Sequence, residues 1–190
     1  MKQDERTNLT KHHLSEVLKN KMKKKPVSKI TVSELIKECD INRNTFYYHF
    51  ESVYDLLKWT FEQEAIEVVK NFDLLVDYKE AIMFVMDYVE SNEHMLKCVY
   101  DSMGKEELKR FFLKDFQDIV YIIIDGAAKE FEKDLDKDYR EFLCLFYTEA
   151  LAGLLTEWLC KGKIKDKNKN SEYLVKTIKL SMKGVIGGLK

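Results

Sequence analysis

The stretch INRNTFYYHF at residues 41–50 decides how the N-terminal part of this chain folds. Phe46 and Phe50 are four residues apart, so on a helix they share one face and can anchor a small core. Asn42 precedes them at the position where a helix N-cap is expected. The stretch therefore predicts a short amphipathic helix whose outward face is rich in hydrogen-bonding side chains.

A capping box is predicted immediately upstream, in Thr31-Val-Ser-Glu34. The Thr31 hydroxyl can accept from the Glu34 backbone N–H, and the Glu34 carboxylate can reach back to Thr31. The apolar face of the helix that follows is Val32, Leu35, Ile36 and Cys39. With a first helix over residues 7–24, the first fifty residues predict three helices, the last two joined by about three residues. This is the spacing of a helix-turn-helix.

Charge is unevenly distributed along the chain. Residues 1–50 carry 11 Lys and Arg against 6 Asp and Glu, whereas residues 51–190 carry 21 against 27. A basic N-terminal part suits a unit that meets a polyanion. Solvation of helix surfaces by lysine accounts for the same charge equally well.

Few turn-forming residues interrupt the remainder of the chain. One proline and seven glycines in 190 residues predict an all-α protein, with about nine helices in total. A Ser52/Asp55 capping pattern opens a long fourth helix, whose apolar stripe is Val53, Leu56, Leu57, Phe61, Ala65, Val68 and Phe72. Further helices are predicted over residues 78–92, 94–101, 105–133, 139–160 and 171–186, with a solvated loop at 161–170.

Thr31 through Phe50, followed by Ser-Val-Tyr-Asp-Leu-Leu at 52–57, resembles the DNA-binding part of tetracycline-repressor-like (TetR) regulators. The match covers about residues 7–67. It implies a helix-turn-helix DNA-binding domain over residues 1–50 and a helical effector-binding and dimerisation domain over residues 51–190. It also implies a cytoplasmic homodimer on a palindromic double-stranded DNA operator. Farther along, Phe146-Tyr147, Gly153, Trp158 and Gly162 look similar to a subgroup that includes regulators of dihydroxyacetone kinase.

The resemblance implies roles for eight residues. Thr31 and Ser33 resemble phosphate contacts, Arg43, Asn44 and Thr45 resemble base-edge contacts, and Tyr47, Tyr48 and His49 resemble DNA-backbone contacts. Two positions depart from the family pattern. Asn44 stands where a small residue is common, and Val53 stands where a lysine usually contacts phosphate. Lys23–Lys25 and Lys29 could replace that lysine, or they could simply solvate a helix end.

The resemblance further implies an effector pocket inside the C-terminal bundle. The aromatic candidates for its lining are Phe84, Tyr88, Tyr100, Phe112, Phe116, Tyr147 and Trp158, although aromatic residues at helical spacing are more often plain core. The effector would be small and apolar. The alternative is a regulator controlled by a protein co-regulator. A well-formed cavity would favour the first hypothesis, and a collapsed core with an exposed apolar patch would favour the second.

A homodimer interface is expected over roughly residues 139–186. Residues 142–159 are apolar on nearly every side, which is typical of a helix that is buried all round, or of one that packs on its own core with one face and on a partner with the other. With the helix predicted over 171–186, it could form the dimer interface that the resemblance implies.

The sequence carries no enzyme signature. A Gly-rich phosphate loop, a G-x-S-x-G turn and an H-E-x-x-H motif are all missing, so we expect no catalytic residues and no cofactor. Metal ligands are not clustered, and no run of 18 apolar residues predicts a membrane span. The scattered Cys39, Cys98, Cys144 and Cys160 predict small buried residues in a reducing cytosol, with a redox sensor as the alternative.

Overall fold

The computed structural model describes residues 3–73, 78–161 and 166–189. Every regular element in these ranges is helical, which confirms the all-α class. The helices are α1 (Gln3–Met22), α2 (Val32–Glu38), α3 (Arg43–His49), α4 (Val53–Phe61), α5 (Glu67–Lys70), α6 (Tyr78–Ser91), α7 (Glu93–Glu130), α8 (Lys137–Lys161) and α9 (Lys167–Met182). A 3₁₀ turn (Val27–Lys29) and two π-helical turns (Glu62–Ile66 and Lys183–Gly187) complete the elements of these ranges.

Side-chain caps begin α2 and α3 where the sequence predicts them. The Glu34 N–H donates to Thr31 Oγ1 across 3.3 Å, and the Thr31 N–H donates to Glu34 Oε2 across 2.9 Å, so the capping box is present. Asn42 Oδ1 accepts from the Thr45 N–H at 2.8 Å and caps α3. Both helices are only seven residues long, so these local bonds matter to their ends.

The start of α4 differs in one detail from the predicted capping pattern. Ser52 Oγ accepts from the Asp55 N–H at 3.1 Å, as expected. The Asp55 carboxylate, however, accepts from the Glu51 N–H at 2.9 Å, one residue before the cap. Between α2 and α3 the chain reverses at Asp40, whose φ of 51° lies in the left-handed region that Asp tolerates in turns.

The long fourth helix contains a register shift that the sequence pattern does not predict. α4 continues through the π-helical turn Glu62–Ile66 into α5 without a break. A π turn inserts one extra residue, so core positions beyond it move by one. Ile66 and Val69 are buried at 6% and 5% exposure, whereas the predicted Ala65 and Val68 are half-buried. The predicted stripe is therefore correct up to Phe61, and beyond it Ala65 and Phe72 still face the interior, whereas Ile66 and Val69 are the most buried positions in place of Val68.

The predicted break after residue 101 is confirmed in α7. Gly104 has φ 77° and ψ 170° inside the helix, which kinks it into two rods. A side chain at this φ would be strained, so glycine suits the kink.

The predicted loop at 161–170 is too long at its C-terminal end. Asp166 accepts from the Lys169 N–H at 3.1 Å and begins α9 at Lys167. The part of this loop at residues 162–165 lies outside the described residues.

One apolar core connects the N-terminal helices with the bundle. Leu14 and Leu18 of α1, Leu56 of α4, Met86 of α6 and Leu108 of α7 belong to the same buried cluster. A second cluster joins the C-terminal part of α7, the N-terminal part of α8 and the C-terminal end of α9. The N-terminal helices are therefore packed directly on the first part of the bundle.

Within the described ranges, α8 is the one helix long and apolar enough by composition to cross a membrane. Its buried residues are Leu143, Cys144, Tyr147, Thr148, Ala152, Leu155, Thr156 and Leu159. Burial of one face in a helical bundle accounts for this composition, since core helices of bundles are often equally long and apolar.

Candidate nucleic-acid interface and bundle cavity

The inner face of α3 is a fixed aromatic anchor. Phe46 is fully buried and Phe50 is 3% exposed, as predicted, with their ring centroids 6.0 Å apart. Phe50 also packs on Trp59 of α4 at 5.8 Å, and the Lys11 ammonium lies 5.6 Å from the Trp59 ring. These contacts hold α3 against α4 and α1, so its outer face has a defined orientation.

The outer face of α3 presents polar and aromatic side chains to solvent. Arg43 and Asn44 are exposed, Tyr47 is 48% exposed and Tyr48 is 75% exposed. The Arg43 guanidinium lies 5.7 Å from the Tyr47 ring centroid. This cation–π contact restricts the Arg43 side chain, which nevertheless remains exposed to solvent.

Thr45 and His49 are half-buried at the edges of this face. The Thr45 hydroxyl donates to Asn42 Oδ1 at 3.1 Å, so its proton is used inside the helix. Burial, and then the positive charge of Lys11, lower the pKa of His49 below its usual value. At neutral pH His49 is therefore an uncharged imidazole with one N–H to donate.

The start of α2 places Thr31 and Ser33 in exposed positions. The Thr31 hydroxyl donates to Glu34 at 3.1 Å, and the Lys25 ammonium donates to the same carboxylate at 2.6 Å. The hydrogen bond from Lys25, followed by that from the Thr31 N–H, lowers the pKa of Glu34 to about 2. The Thr31 hydroxyl is thus already engaged, whereas Ser33 is exposed at the same helix end.

The two departures from the family pattern have clear structural consequences. Asn44 is exposed on α3, so its larger side chain meets no steric conflict within the chain. Val53 is 8% exposed and packs in the core, which leaves no contact group at the position of the usual lysine. Among the lysines suggested as replacements, Lys23, Lys24 and Lys29 are exposed and Lys25 is paired with Glu34.

A cavity of about 400 Å³ lies inside the bundle, between α4–α5, α6, α7, α8 and α9. Four of the seven predicted lining residues reach it: Tyr88, Phe112, Phe116 and Trp158. Tyr88 is also the donor of a 3.0 Å hydrogen bond to Glu64. The remainder of the lining is mainly aliphatic.

The other three predicted lining residues lie elsewhere. Phe84 packs on Phe72, with ring centroids 6.2 Å apart. Tyr147 is buried between α8 and α9, where its hydroxyl donates to Ser181 at 2.8 Å. Tyr100 interacts with Cys160. None of the three lines the cavity, and for Phe84 this is because it packs behind the lining residues Ile66, Val69 and Ala81.

The prediction from sequence, which named aromatic residues only, also missed the aliphatic lining residues. Ile119, Ile123 and Ala127 line the cavity together with Phe112 and Phe116, at spacings of three or four residues along α7. This spacing places the five residues on one face of the helix, so it could have predicted the aliphatic lining residues from the sequence.

An apolar surface is exposed on α8. It consists of Phe142, Leu145, Phe146 and Leu154, which are between 41% and 59% exposed. Phe142 and Phe146 stack on one another, with centroids 6.4 Å apart. Leu180 and Tyr173 of α9 are each 59% exposed. We refer to the four α8 residues as the α8 apolar surface.

The described part of the chain contains no group of three His, Cys, Asp or Glu residues that could hold a metal ion. Cys39, Cys98 and Cys144 are buried, as predicted, and burial raises the pKa of Cys39 to about 11. Cys160 is exposed, so the prediction of burial is wrong for this one residue. It sits on the solvent side near the end of α8.

A family model for the C-terminal region of TetR-type transcriptional regulators matches residues 77–180, more than half of the chain. The chain belongs to the TetR family of transcriptional regulators. This TetR-family chain is 20% identical over 159 residues to the HTH-type dhaKLM operon transcriptional activator DhaS of Lactococcus lactis subsp. lactis (strain IL1403), with 84% of each chain covered.

A solved structure of the dihydroxyacetone kinase operon activator DhaS shares the fold of this TetR-family chain. The TM-score is 0.69 at 19% identity, over 92% of this chain and 96% of that one. Both comparisons agree with the subgroup that the C-terminal residues resemble.

Proposed function

We propose that this TetR-family regulator binds a palindromic double-stranded DNA operator as a homodimer and that a small effector in the bundle cavity controls the binding. The observation that carries the proposal is that α3 has one buried face and one exposed polar face. Phe46 and Phe50 anchor its inner face, while Arg43, Asn44 and Tyr48 are exposed on its outer face. Residues 1–50 act as the helix-turn-helix DNA-binding domain, and residues 51–190 as the effector-binding and dimerisation domain.

The exposed groups of α3 suit a major groove. Arg43 can donate two hydrogen bonds to a guanine edge, and Asn44 can pair with an adenine edge. The Tyr47 and Tyr48 hydroxyls and the neutral His49 N–H suit phosphate oxygens, which fix the register without reading sequence. Thr45 offers its methyl group to a thymine methyl, because its hydroxyl proton is used by Asn42.

The α8 apolar surface supports the homodimer. Exposed aromatic side chains that stack on one another, such as Phe142 and Phe146, are costly to leave in water. A two-fold interface would bury this surface against its own copy and would place two α3 helices for two half-sites. Residues 139–186 contain this surface together with the exposed residues of α9.

Control by a small effector is favoured over control by a protein co-regulator. The cavity of about 400 Å³ falls within the size range of small-molecule sites, roughly 300–1,000 Å³. The core is therefore not collapsed, and the exposed apolar patch on α8 is accounted for by the dimer. We propose a cytoplasmic regulator with neither catalytic activity nor a cofactor.

The test begins with selection of bound sites from random DNA, followed by fluorescence anisotropy with the selected operator at fixed salt. We expect Arg43→Ala and Tyr48→Ala to weaken operator binding by about tenfold or more, because one good base or backbone contact is worth roughly 1–3 kcal/mol. Arg110→Ala, on an arginine exposed on α7, is the matched control and should bind as the parent does. Unchanged affinity in Arg43→Ala and Tyr48→Ala would overturn the docking of α3.

A further inference from the structure

The lining of the bundle cavity extends along α7 from Leu96 to Glu130. Beyond the Gly104 kink, its α7 wall is a stripe of residues three or four apart, namely Phe112, Phe116, Ile119, Ile123 and Ala127, and the wall ends at Glu130 and at the adjacent Phe131 just past the helix. At 1.5 Å per residue, the wall from Phe112 to Phe131 extends over about 28 Å. A cavity volume of about 400 Å³ spread over this length suits an extended alkyl chain better than a compact ring system.

The charged lining residues are confined to one end of this cavity. At the end that faces the N-terminal helices, Phe61 packs edge-on against Phe112, with centroids 5.2 Å apart, and against Tyr88 at 6.4 Å. The Tyr88 hydroxyl is bonded to Glu64. This end therefore offers mainly hydrocarbon to an occupant.

The charged lining residues are Glu130, Lys179 and Lys183, and all three are exposed to solvent. They lie beside Phe131 and Met182, at the opposite end from Phe61. Among the charged lining residues of this mouth, lysines therefore outnumber carboxylates by two to one. A charged head group placed there would keep its water and avoid the cost of burying an ion.

We propose that the cavity takes a single-chain anionic amphiphile, a free fatty acid, with its alkyl chain along the α7 stripe and its carboxylate at Lys179 and Lys183. The inference rests on the proposed effector function and names the chemical class of the effector. Chain burial supplies the affinity, and the lysines at the mouth select an acid over an alcohol or a cation.

Tryptophan fluorescence gives a direct test, because Trp158 lines the cavity. The second tryptophan, Trp59, packs on Phe50 near α3, so Trp59→Phe leaves Trp158 as the reporter. Octanoate, dodecanoate, dodecanol and dodecyltrimethylammonium are titrated below their aggregation concentrations. Calorimetry on the unmodified protein repeats the measurement and covers the case in which Trp59→Phe folds poorly.

We expect dodecanoate to bind more tightly than octanoate, with affinity rising by about fourfold per methylene at most. Dodecanol should bind several-fold more weakly than dodecanoate, and the cationic amphiphile more weakly still. Lys183→Gln should weaken dodecanoate binding and leave dodecanol binding unchanged. Lys176→Gln, on an exposed α9 lysine outside the lining, is the matched control and should leave both unchanged.

Ala127→Phe fills the channel and should abolish the Trp158 response, with circular dichroism used to check its folding. Equal affinity for dodecanoate and dodecyltrimethylammonium, or no response to dodecanoate, would overturn the ligand class. If the protein still binds its selected operator as a dimer in that case, only this inference fails. Loss of operator binding in the unmodified protein would overturn the proposed function itself.

Discussion

The Tyr88 hydroxyl donates to Glu64 across 3.0 Å, and the other oxygen of that carboxylate accepts from the Lys19 ammonium at 2.5 Å. Tyr88 lines the cavity, Glu64 lies in the π-helical turn and Lys19 lies on α1. Burial, and then Glu64, raise the pKa of Tyr88, so its hydroxyl remains a donor. Burial lowers the pKa of Lys19, but the carboxylates of Glu16 and Glu64 raise it overall. One carboxylate thus connects the cavity wall with the N-terminal helices.

Tyr88→Phe should lower the free energy of unfolding by about 1–2 kcal/mol, because it removes a partly buried hydrogen bond to a charged group while the ring remains. Urea unfolding followed by circular dichroism measures the change. The selected operator provides a second measurement, in which the affinity of Tyr88→Phe should differ from that of the parent, since Glu64 also holds α1.

Tyr173→Phe is the matched control for this change, because Tyr173 is 59% exposed on α9. It should leave both measurements unchanged. Equal stability of Tyr88→Phe and Tyr173→Phe would show that the bond between Tyr88 and Glu64 contributes nothing to folding.

Asp115→Asn should raise the thermal midpoint at pH 7 by about 1–3 °C, because removing a buried charge should raise the free energy of unfolding by up to about 1 kcal/mol. Asp115 is 6% exposed on α7, and burial raises its pKa, although Lys58 and Lys70 partly offset this. A raised pKa means that the folded state holds the proton more tightly, so the carboxyl favours folding at low pH and costs stability as pH rises through its pKa.

The gain from Asp115→Asn should therefore shrink as the pH is lowered towards the usual value of 3.8. Asp101→Asn, at an exposed position of the same helix, serves as the control. A lower thermal midpoint for Asp115→Asn at pH 7 would mean that the attraction of the carboxylate to Lys58 and Lys70 exceeds the cost of burying its charge.

Glu34→Gln should remove an acid-sensitive part of the stability of the N-terminal helices. The pKa of Glu34 is lowered to about 2 by Lys25 first and then by the Thr31 N–H. A carboxylate with a depressed pKa stabilises the fold fully above its usual value of 4.5, and this contribution is lost as pH falls towards 2.

Thermal unfolding of the parent and of Glu34→Gln at several pH values between 7 and 2 checks this expectation. The two midpoints should differ most near neutrality and converge at the acid end. Glu106→Gln, an exposed position on α7, controls for the loss of one charge. A constant difference at every pH would contradict the assigned role of the carboxylate.

Phe146→Glu should convert the proposed dimer into a monomer, because it places a charge within the α8 apolar surface. Phe146 is 57% exposed in the single chain, so the fold itself should survive. Sedimentation at micromolar concentration gives the assembly state, and circular dichroism gives the helix content.

Leu9→Glu is the control for dimerisation, since Leu9 is 60% exposed on α1 and lies outside residues 139–186. It should sediment as the parent does. A dimer that persists in Phe146→Glu would place the interface elsewhere on the molecule.

The helix starts of the N-terminal part could be predicted because their signals are local. Thr31 and Glu34 lie within one turn of each other, as do Asn42 and Thr45, so the capping bonds form wherever the rest of the chain packs. The same holds for the inward direction of Phe46 and Phe50, since four residues of helix fix their relative position. The contacts of the outer face with DNA remain predictions.

The π-helical turn could not be predicted in this way. The apolar residues between Phe61 and Val69 fit an uninterrupted helix that buries Val68, and equally a helix with one extra residue that buries Ile66 and Val69. Packing against α6 and α7 selects the second register, which also points Glu64 towards Lys19 and Tyr88. A pattern along one helix carries no information about its neighbours.

The sequence by itself determined the all-α class, the three N-terminal helices and the family to which the chain belongs. These follow from capping, spacing and residue type, which act over one or two helical turns. Tertiary structure decided which aromatic residues line the cavity, how far that cavity extends along α7, and that Glu64 joins Tyr88 to Lys19. These features depend on how helices far apart in the chain are rotated against each other, and only packing of the whole molecule sets that rotation.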